Sequence, residues 1–276
     1  EKDVALAISR RLASRINAEK GMRAVLVRDG DYYVDHRQRT AIARKHNVKL
    51  AVKGKSMLSE EIGLNRALEG AGIETVETDL GEYIIQLAGE RPSHIIAPAI
   101  HKSRKDIGSL FADKLAIPYE TDPPRLTWIA RKALREKFLA ADMGTSGCNL
   151  ACAETGHITT VSNEGNIRMS TTMPKVHVAI MGMERVAARL EDHDILLRLL
   201  CRAAAAQNMG TYVSYVGGPR YVDQADGPDE FHLVILDNGR SRILADPDRR
   251  SLTAGFGVED FGSTDFGFSV GRQPLF

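Results

Sequence analysis

Short apolar segments alternating with helical patterns constrain this chain more than any other feature. Residues 24–27, 49–52, 73–77 and 94–97 have strand character, and helical spacing fills the intervals between them. Parallel neighbours need a crossover, and a helix supplies it, so the repetition predicts an α/β fold with a mainly parallel sheet flanked by helices.

Local punctuation supports individual elements. After the second strand, Ser56 is a cap, Glu60 and Glu61 suit the positive end of a helix dipole, and Gly72 suits a left-handed stop. Asp122 before Pro123 and Pro124 announces another helix, with Leu126, Ile129, Ala130, Ala133, Leu134 and Phe138 on its apolar face. Its Arg131, Lys132, Arg135 and Lys137 read as a solvated surface. Beyond Cys152, segments rich in Thr, Val and Ile flank Ser162-Asn163-Glu164-Gly165-Asn166, a pattern that predicts two strands joined by a turn. A helix over 187–206, strands at 212–216 and 231–236, and an Asp237-Asn238-Gly239 turn complete the folded part. Val4, Leu6, Ala7, Leu12 and Ile16 predict an N-terminal helix within 1–20, ahead of one domain over 21–250. Residues 251–276 carry five of the eight phenylalanines among Gly and Ser without a period, which predicts a disordered tail.

Composition narrows the function classes. Lys plus Arg number 37 against 36 Asp plus Glu, a net charge of +1, so nucleic acid is not an expected partner. No apolar run approaches the roughly 20 residues of a membrane span. The first residues lack the apolar core of a secretory signal, and the expected location is cytoplasmic. Cys148, Cys152 and Cys201 are too few for a four-thiolate site, and they read as buried thiols with no metal expected.

Three stretches carry candidate chemistry. Lys53-Gly54-Lys55-Ser56 joins a strand to a helix start, where backbone N–H groups and two ammonium groups favour a small anion; a solvated turn is the alternative. Asp79-Leu80-Gly81-Glu82 and His101-Lys102 follow the next two strands, so Glu82 and His101 are candidate acid–base residues and Lys102 a candidate ligand contact. Between Gly147 and Gly156, small residues surround Glu154, a candidate nucleophile or base. His177, between Val176 and Val178, reads as a hydrogen-bonded sheet histidine.

Taken together, these segments resemble the lactate-utilisation (LUD) domain family, most closely its iron–sulfur subunits of the lactate utilisation protein B type. The likeness rests on Lys53-Gly54-Lys55-Ser56-Met57, Glu60-Glu61-Ile62-Gly63, Glu77-Thr78-Asp79-Leu80-Gly81-Glu82-Tyr83-Ile84, Ala97-Pro98-Ala99-Ile100-His101-Lys102 and Ala153-Glu154-Thr155-Gly156. It continues through Ser162-Asn163-Glu164-Gly165-Asn166, Thr171-Thr172, Pro174, His177 and Leu236-Asp237-Asn238-Gly239-Arg240-Ser241. The resemblance implies a fold similar to ribose-phosphate isomerases and coenzyme A transferases. It also implies oxidation of L-lactate to pyruvate with other lactate-utilisation subunits, electrons passing through iron–sulfur proteins. Thr155, Gly156, Asn163 and Asn166 join Lys53, Lys55, Ser56 and Lys102 as expected ligand contacts. Full-length relatives carry four-iron four-sulfur ligands in a C-terminal region, whereas residues 251–276 hold no cysteine, so no cofactor is expected in this chain. A stand-alone transferase or isomerase using Glu154, or a non-catalytic interaction subunit, are the rival expectations.

Overall fold

The computed structural model describes residues 22–26, 41–93, 97–237 and 240, together with Arg10, Arg11, Ser14, Asn17 and Ala18, which are helical and exposed. Most of the expected strand at 94–97, most of the N-terminal segment and the whole 251–276 tail lie outside the described residues. In chain order the elements begin β1 (Met22–Leu26), α1 (Ala41–Lys45), β2 (Leu50–Lys53), α2 (Met57–Glu61), α3 (Leu64–Glu69), β3 (Glu74–Glu77) and α4 (Leu80–Ala88). They continue with α5 (Arg104–Leu115), α6 (Pro123–Ala140), β4 (Met143–Gly147), β5 (Leu150–Cys152), β6 (Ile158–Ser162) and α7 (Asn166–Thr172). Then come β7 (Val176–Gly182), a 3-10 turn (Met183–Arg185), β8 (Val186–Ala187), α8 (Leu190–Ala205), β9 (Tyr212–Val216) and β10 (Glu230–Leu236).

Six strands form one sheet in the order β1-β10-β7-β4-β2-β3, and every neighbouring pair is parallel. The α/β expectation holds. Side-chain alternation assigns each face. Leu50, Val52 and Val76 point toward α4, α5 and α6, where Tyr83, Ile84, Phe111, Leu126, Ala130, Leu134 and Phe138 complete a core. Ala51 points the other way, into a core with Ala43, Leu58, Leu64 and Leu68 of α1, α2 and α3. A second sheet, β8-β5-β6-β9, packs over Phe231, Leu233 and Ile235 of β10 through Ala151 and Ile158.

Two expectations are corrected, and one strand was not foreseen. The helix that Ser56 caps breaks at Gly63, whose φ of 63° splits it into α2 and α3. The Ser162–Asn166 turn joins β6 to α7, not one strand to another: left-handed Gly165 starts a helix there. Finally, β4 gave no apolar signal because its sequence is Met-Gly-Thr-Ser-Gly. Its small residues are a packing requirement, since a Cβ on Gly144 would stand 1.7 Å from the Ser170 carbonyl oxygen of α7.

Candidate functional site

After β2 the chain adds β3 on one side; after β4 it adds β7 and then β10 on the other. The order therefore reverses between β2 and β4, and in open α/β sheets the crevice at the carboxyl ends of such strands is where ligands collect. A cleft of about 270 Å³ lies there. Lys55 and Ser56 line it after β2, Asp79 after β3, and Gly147, Cys148 and Asn149 at the end of β4. The β6–α7 turn brings Ser162, Asn163, Glu164 and Asn166 to the opposite wall, and α8 closes it with Leu200, Cys201 and Ala204, joined by Gln207 just past the helix end.

Lys53 does not reach this cleft. As the last residue of β2 it shares the Ala51 face, and parallel register places it directly opposite Glu77. Its ammonium group, 2% exposed, donates to Ser59 Oγ at 2.9 Å and Glu60 Oε1 at 2.6 Å and stands 2.8 Å from Glu77 Oε1. Asn65 Nδ2 donates to the same Glu77 oxygen at 2.6 Å. Burial alone would lower the Lys53 pKa, but Glu77 and Glu60 reverse that and hold it above its ordinary value. Burial raises the Glu77 carboxyl in turn, against the pull of Lys53 and Asn65. All three ammonium protons have acceptors, so Lys53 is a structural cation and the expectation of a ligand contact is corrected.

Lys55, two residues on, lines the cleft. Opposite it, Glu164 is held above its ordinary pKa by desolvation, by the Asp79 charge and by a hydrogen bond with the Asp79 side chain, with Lys55 pulling the other way. Asp79 is also the N-cap of α4, accepting from Gly81 N at 3.0 Å and Glu82 N at 3.2 Å, and Glu164 Oε2 accepts from Leu80 N at 3.4 Å. Two carboxyl groups thus share a helix N-terminus beside one ammonium group. Among the ligand contacts expected from sequence, Lys55, Ser56, Asn163 and Asn166 line the cleft. Asn166 is set by Ser162 Oγ at 3.1 Å and Thr78 Oγ1 at 3.3 Å, while Asn163 Oδ1 accepts from Thr211 N at 3.1 Å. Ser56 caps α2 and lies against Gly147, where a Cβ would come within 3.0 Å of Ser56 Oγ.

Glu82 is half-buried in the first turn of α4, and desolvation, with Glu77 next, raises its pKa to about 7, so it titrates near neutrality. It is coupled to Lys55 and Lys53 but does not line the cleft.

The remaining candidates lie elsewhere. Glu154 is exposed on the β5–β6 hairpin, and its Oε2 accepts from Leu190 N at 2.8 Å. It therefore supplies the cap that Arg189, without a side-chain bond, leaves missing at the start of α8. That is a helix-capping role in place of the expected nucleophile. Thr155 bonds His157, and Gly156, with φ 78°, closes the same hairpin. His101 Nε2 and Lys102 Nζ both engage Glu90, at 2.8 and 2.7 Å, near the surface, and neither lines the cleft. Asp79 and Glu164 were not singled out as an acid pair by sequence. The available signal was position alone, since each follows a strand and precedes a helix.

The thiols do not fit a four-iron four-sulfur cluster. Such a cluster takes four thiolates, whereas Cys148, Cys152 and Cys201 are three and buried, and Cys148 Sγ already donates to Leu150 O at 3.1 Å. Among the described residues the three do not converge on a common point. His177 is a buried sheet residue, bonded through Nε2 to Ser146 Oγ at 2.8 Å, and burial lowers its pKa to about 3.

Comparison with known proteins adds a lineage to this geometry. The LUD domain matches residues 17–236. "Lactate utilization protein B" of Bacillus cereus (strain AH820) is 49% identical over 211 residues, 76% of this chain and 44% of that protein. "Uncharacterized electron transport protein YkgF" of Escherichia coli (strain K12) is 48% identical over 204 residues, 74% of this chain and 43% of that protein. The chain spans less than half the length of these relatives. Among solved structures, a DUF162 family protein from Deinococcus radiodurans aligns with a TM-score of 0.31 at 12% identity, over 72% of this chain and 93% of that one.

Proposed function

The chain belongs to the LUD domain family, and from that premise we propose that it serves lactate utilisation, its cleft holding a small 2-hydroxy acid anion such as L-lactate. The observation that carries this reading is the pairing of Lys55 with the Asp79–Glu164 carboxyl pair across one cleft at the sheet's switch point. A substrate carboxylate has an ammonium group and the amides of Asn163 and Asn166 to bind, and its 2-hydroxyl has an acid pair with which to exchange a proton. In the full reading, L-lactate loses two protons and two electrons to become pyruvate. The hydroxyl proton goes to the carboxyl pair, and the C2 hydrogen leaves with both electrons, as a hydride or as a proton and two electrons, to an acceptor on partner lactate-utilisation subunits. This chain's thiols do not fit a cluster, so the proposal places no iron–sulfur step on them. A cytoplasmic setting belongs to the same proposal; among the described residues no helix is long and apolar enough to cross a membrane.

The rival transferase or isomerase through Glu154 loses support, because that carboxylate caps α8. Calorimetric titration with L-lactate, pyruvate and phosphate tests the reading. L-lactate is expected to bind, and Lys55→Ala to weaken it about 10- to 100-fold, the equivalent of one charge-assisted hydrogen bond. Absence of binding by all three anions would instead favour the non-catalytic interaction subunit.

A further inference from the structure

At the opposite, N-terminal edge of the sheet, β10 opens with Glu230-Phe231-His232, and alternation turns Glu230 and His232 to the face covered by α1. Just past α1, His46 reaches the same point. His46 Nε2 lies 3.2 Å from Glu230 Oε2, and His232 Nε2 lies 3.3 Å from that same oxygen. Beyond these two contacts with Glu230 neither Nε2 has a hydrogen-bond partner, and His232 Nδ1 has none at all, although the His232 side chain is only 3% exposed. A buried polar ring left without a partner is costly, and here it is aimed at a carboxylate that a second ring also faces.

We propose that His46, Glu230 and His232 form a binding site for a divalent transition-metal ion of the zinc class. The three ligand atoms lie within 4.8 Å of one another. Ligands about 2.0–2.2 Å from a tetrahedral ion stand roughly 3.3–3.5 Å apart, close to both nitrogen–oxygen separations. Two imidazoles and one carboxylate are a donor set that suits zinc, with a fourth position left for solvent. Glu230 is 41% exposed and His46 17%, so an ion has a route in. Lys45 Nζ, 3.8 Å from Glu230 Oε2, is the local opponent of a cation; at 59% exposure its flexible stem can swing away. A bound ion would tie the end of α1 to the start of β10, two segments far apart in sequence. Neither Cys148, Cys152 and Cys201 nor His177, the residues whose sequence context raised a metal, belongs to this set.

Titration of the purified, chelator-treated 276-residue chain with Co²⁺ and Zn²⁺ tests the site. The expected result is one ion per chain, visible d–d absorption for tetrahedral cobalt, and a rise in melting temperature with added Zn²⁺. His46→Gln and Glu230→Gln replace partly exposed side chains and leave buried His232 in place; each is expected to weaken binding by roughly 100-fold. Lys45→Ala is expected to bind at least as tightly as the wild type. Folding of every variant is checked by circular dichroism. No binding, or binding that both Gln variants retain because the ion sits on thiols, overturns the proposal.

Discussion

Lys53 and Lys55 leave the same turn, two residues apart, and meet opposite fates. Lys53 is sealed among Ser59, Glu60 and Glu77 beneath α2, while Lys55 opens onto the cleft facing the Asp79–Glu164 pair. Their charge and stem are identical, so what differs is the pleat and the register. Lys53 is the final strand residue on the α2 and α3 face, and β3 delivers Glu77 directly across from it. Lys55 is past the end of the strand, and it lines the cleft at the carboxyl end of the sheet. A lysine at a strand end is thus placed by its cross-strand partners, whereas one beyond the carboxyl end is placed by the crevice that opens there.

The sharpest way to break this contrast is Lys53→Met. It leaves Glu77 buried without its cation, and a loss of about 3–5 kcal/mol is expected in urea denaturation. The double change Lys53→Met, Glu77→Leu should recover much of it. A near-neutral single substitution would show that Lys53 is not the structural partner drawn above. Next in size is Lys55→Ala, expected to leave stability within about 1 kcal/mol while weakening L-lactate as described. Equal losses of stability at both lysines would erase the distinction between the two regions.

Smaller effects sharpen the cleft side. Asp79→Ala removes the α4 cap and should cost about 1 kcal/mol in thermal or denaturant unfolding, together with the partner of Glu164. Asp79→Asn, which still accepts hydrogen bonds, should restore most of the stability. The smallest expected signal is a pH slope from Glu82. Its carboxyl has a pKa near 7 in the folded chain, above its unfolded value, so the folded state holds the extra proton. Its contribution is full below about pH 4 and is lost as pH rises through about 7. Melting temperatures of the wild type and Glu82→Gln should therefore diverge across that window, the wild type falling relative to the variant. Parallel curves would mean that Glu82 is solvated like an ordinary surface acid.

Much of this molecule was legible locally. Ser56 and Asp122 cap the helices where their side chains and the following residues predicted, because a cap is settled within three or four positions. The strands at β2, β3, β9 and β10 showed themselves through β-branched and apolar residues. β4 stayed hidden, since its Gly144 answers to the Ser170 carbonyl of a helix more than twenty residues downstream and its Gly147 to Ser56, far upstream. Only the fold sorted the expected site residues: Lys55, Ser56, Asn163 and Asn166 line the cleft, whereas Glu154 caps α8 and His101 and Lys102 turn to Glu90.

By itself, then, the amino-acid order determined the class of fold and the charged residues that follow the strands at their carboxyl ends, because periodicity and turn chemistry are short-range. Tertiary structure alone decided which lysine is sealed and which is open, that Glu164 meets Asp79, and that His46 meets Glu230 and His232. Those outcomes depend on which distant segment covers a given face, and alternation along one strand names the face without naming what covers it.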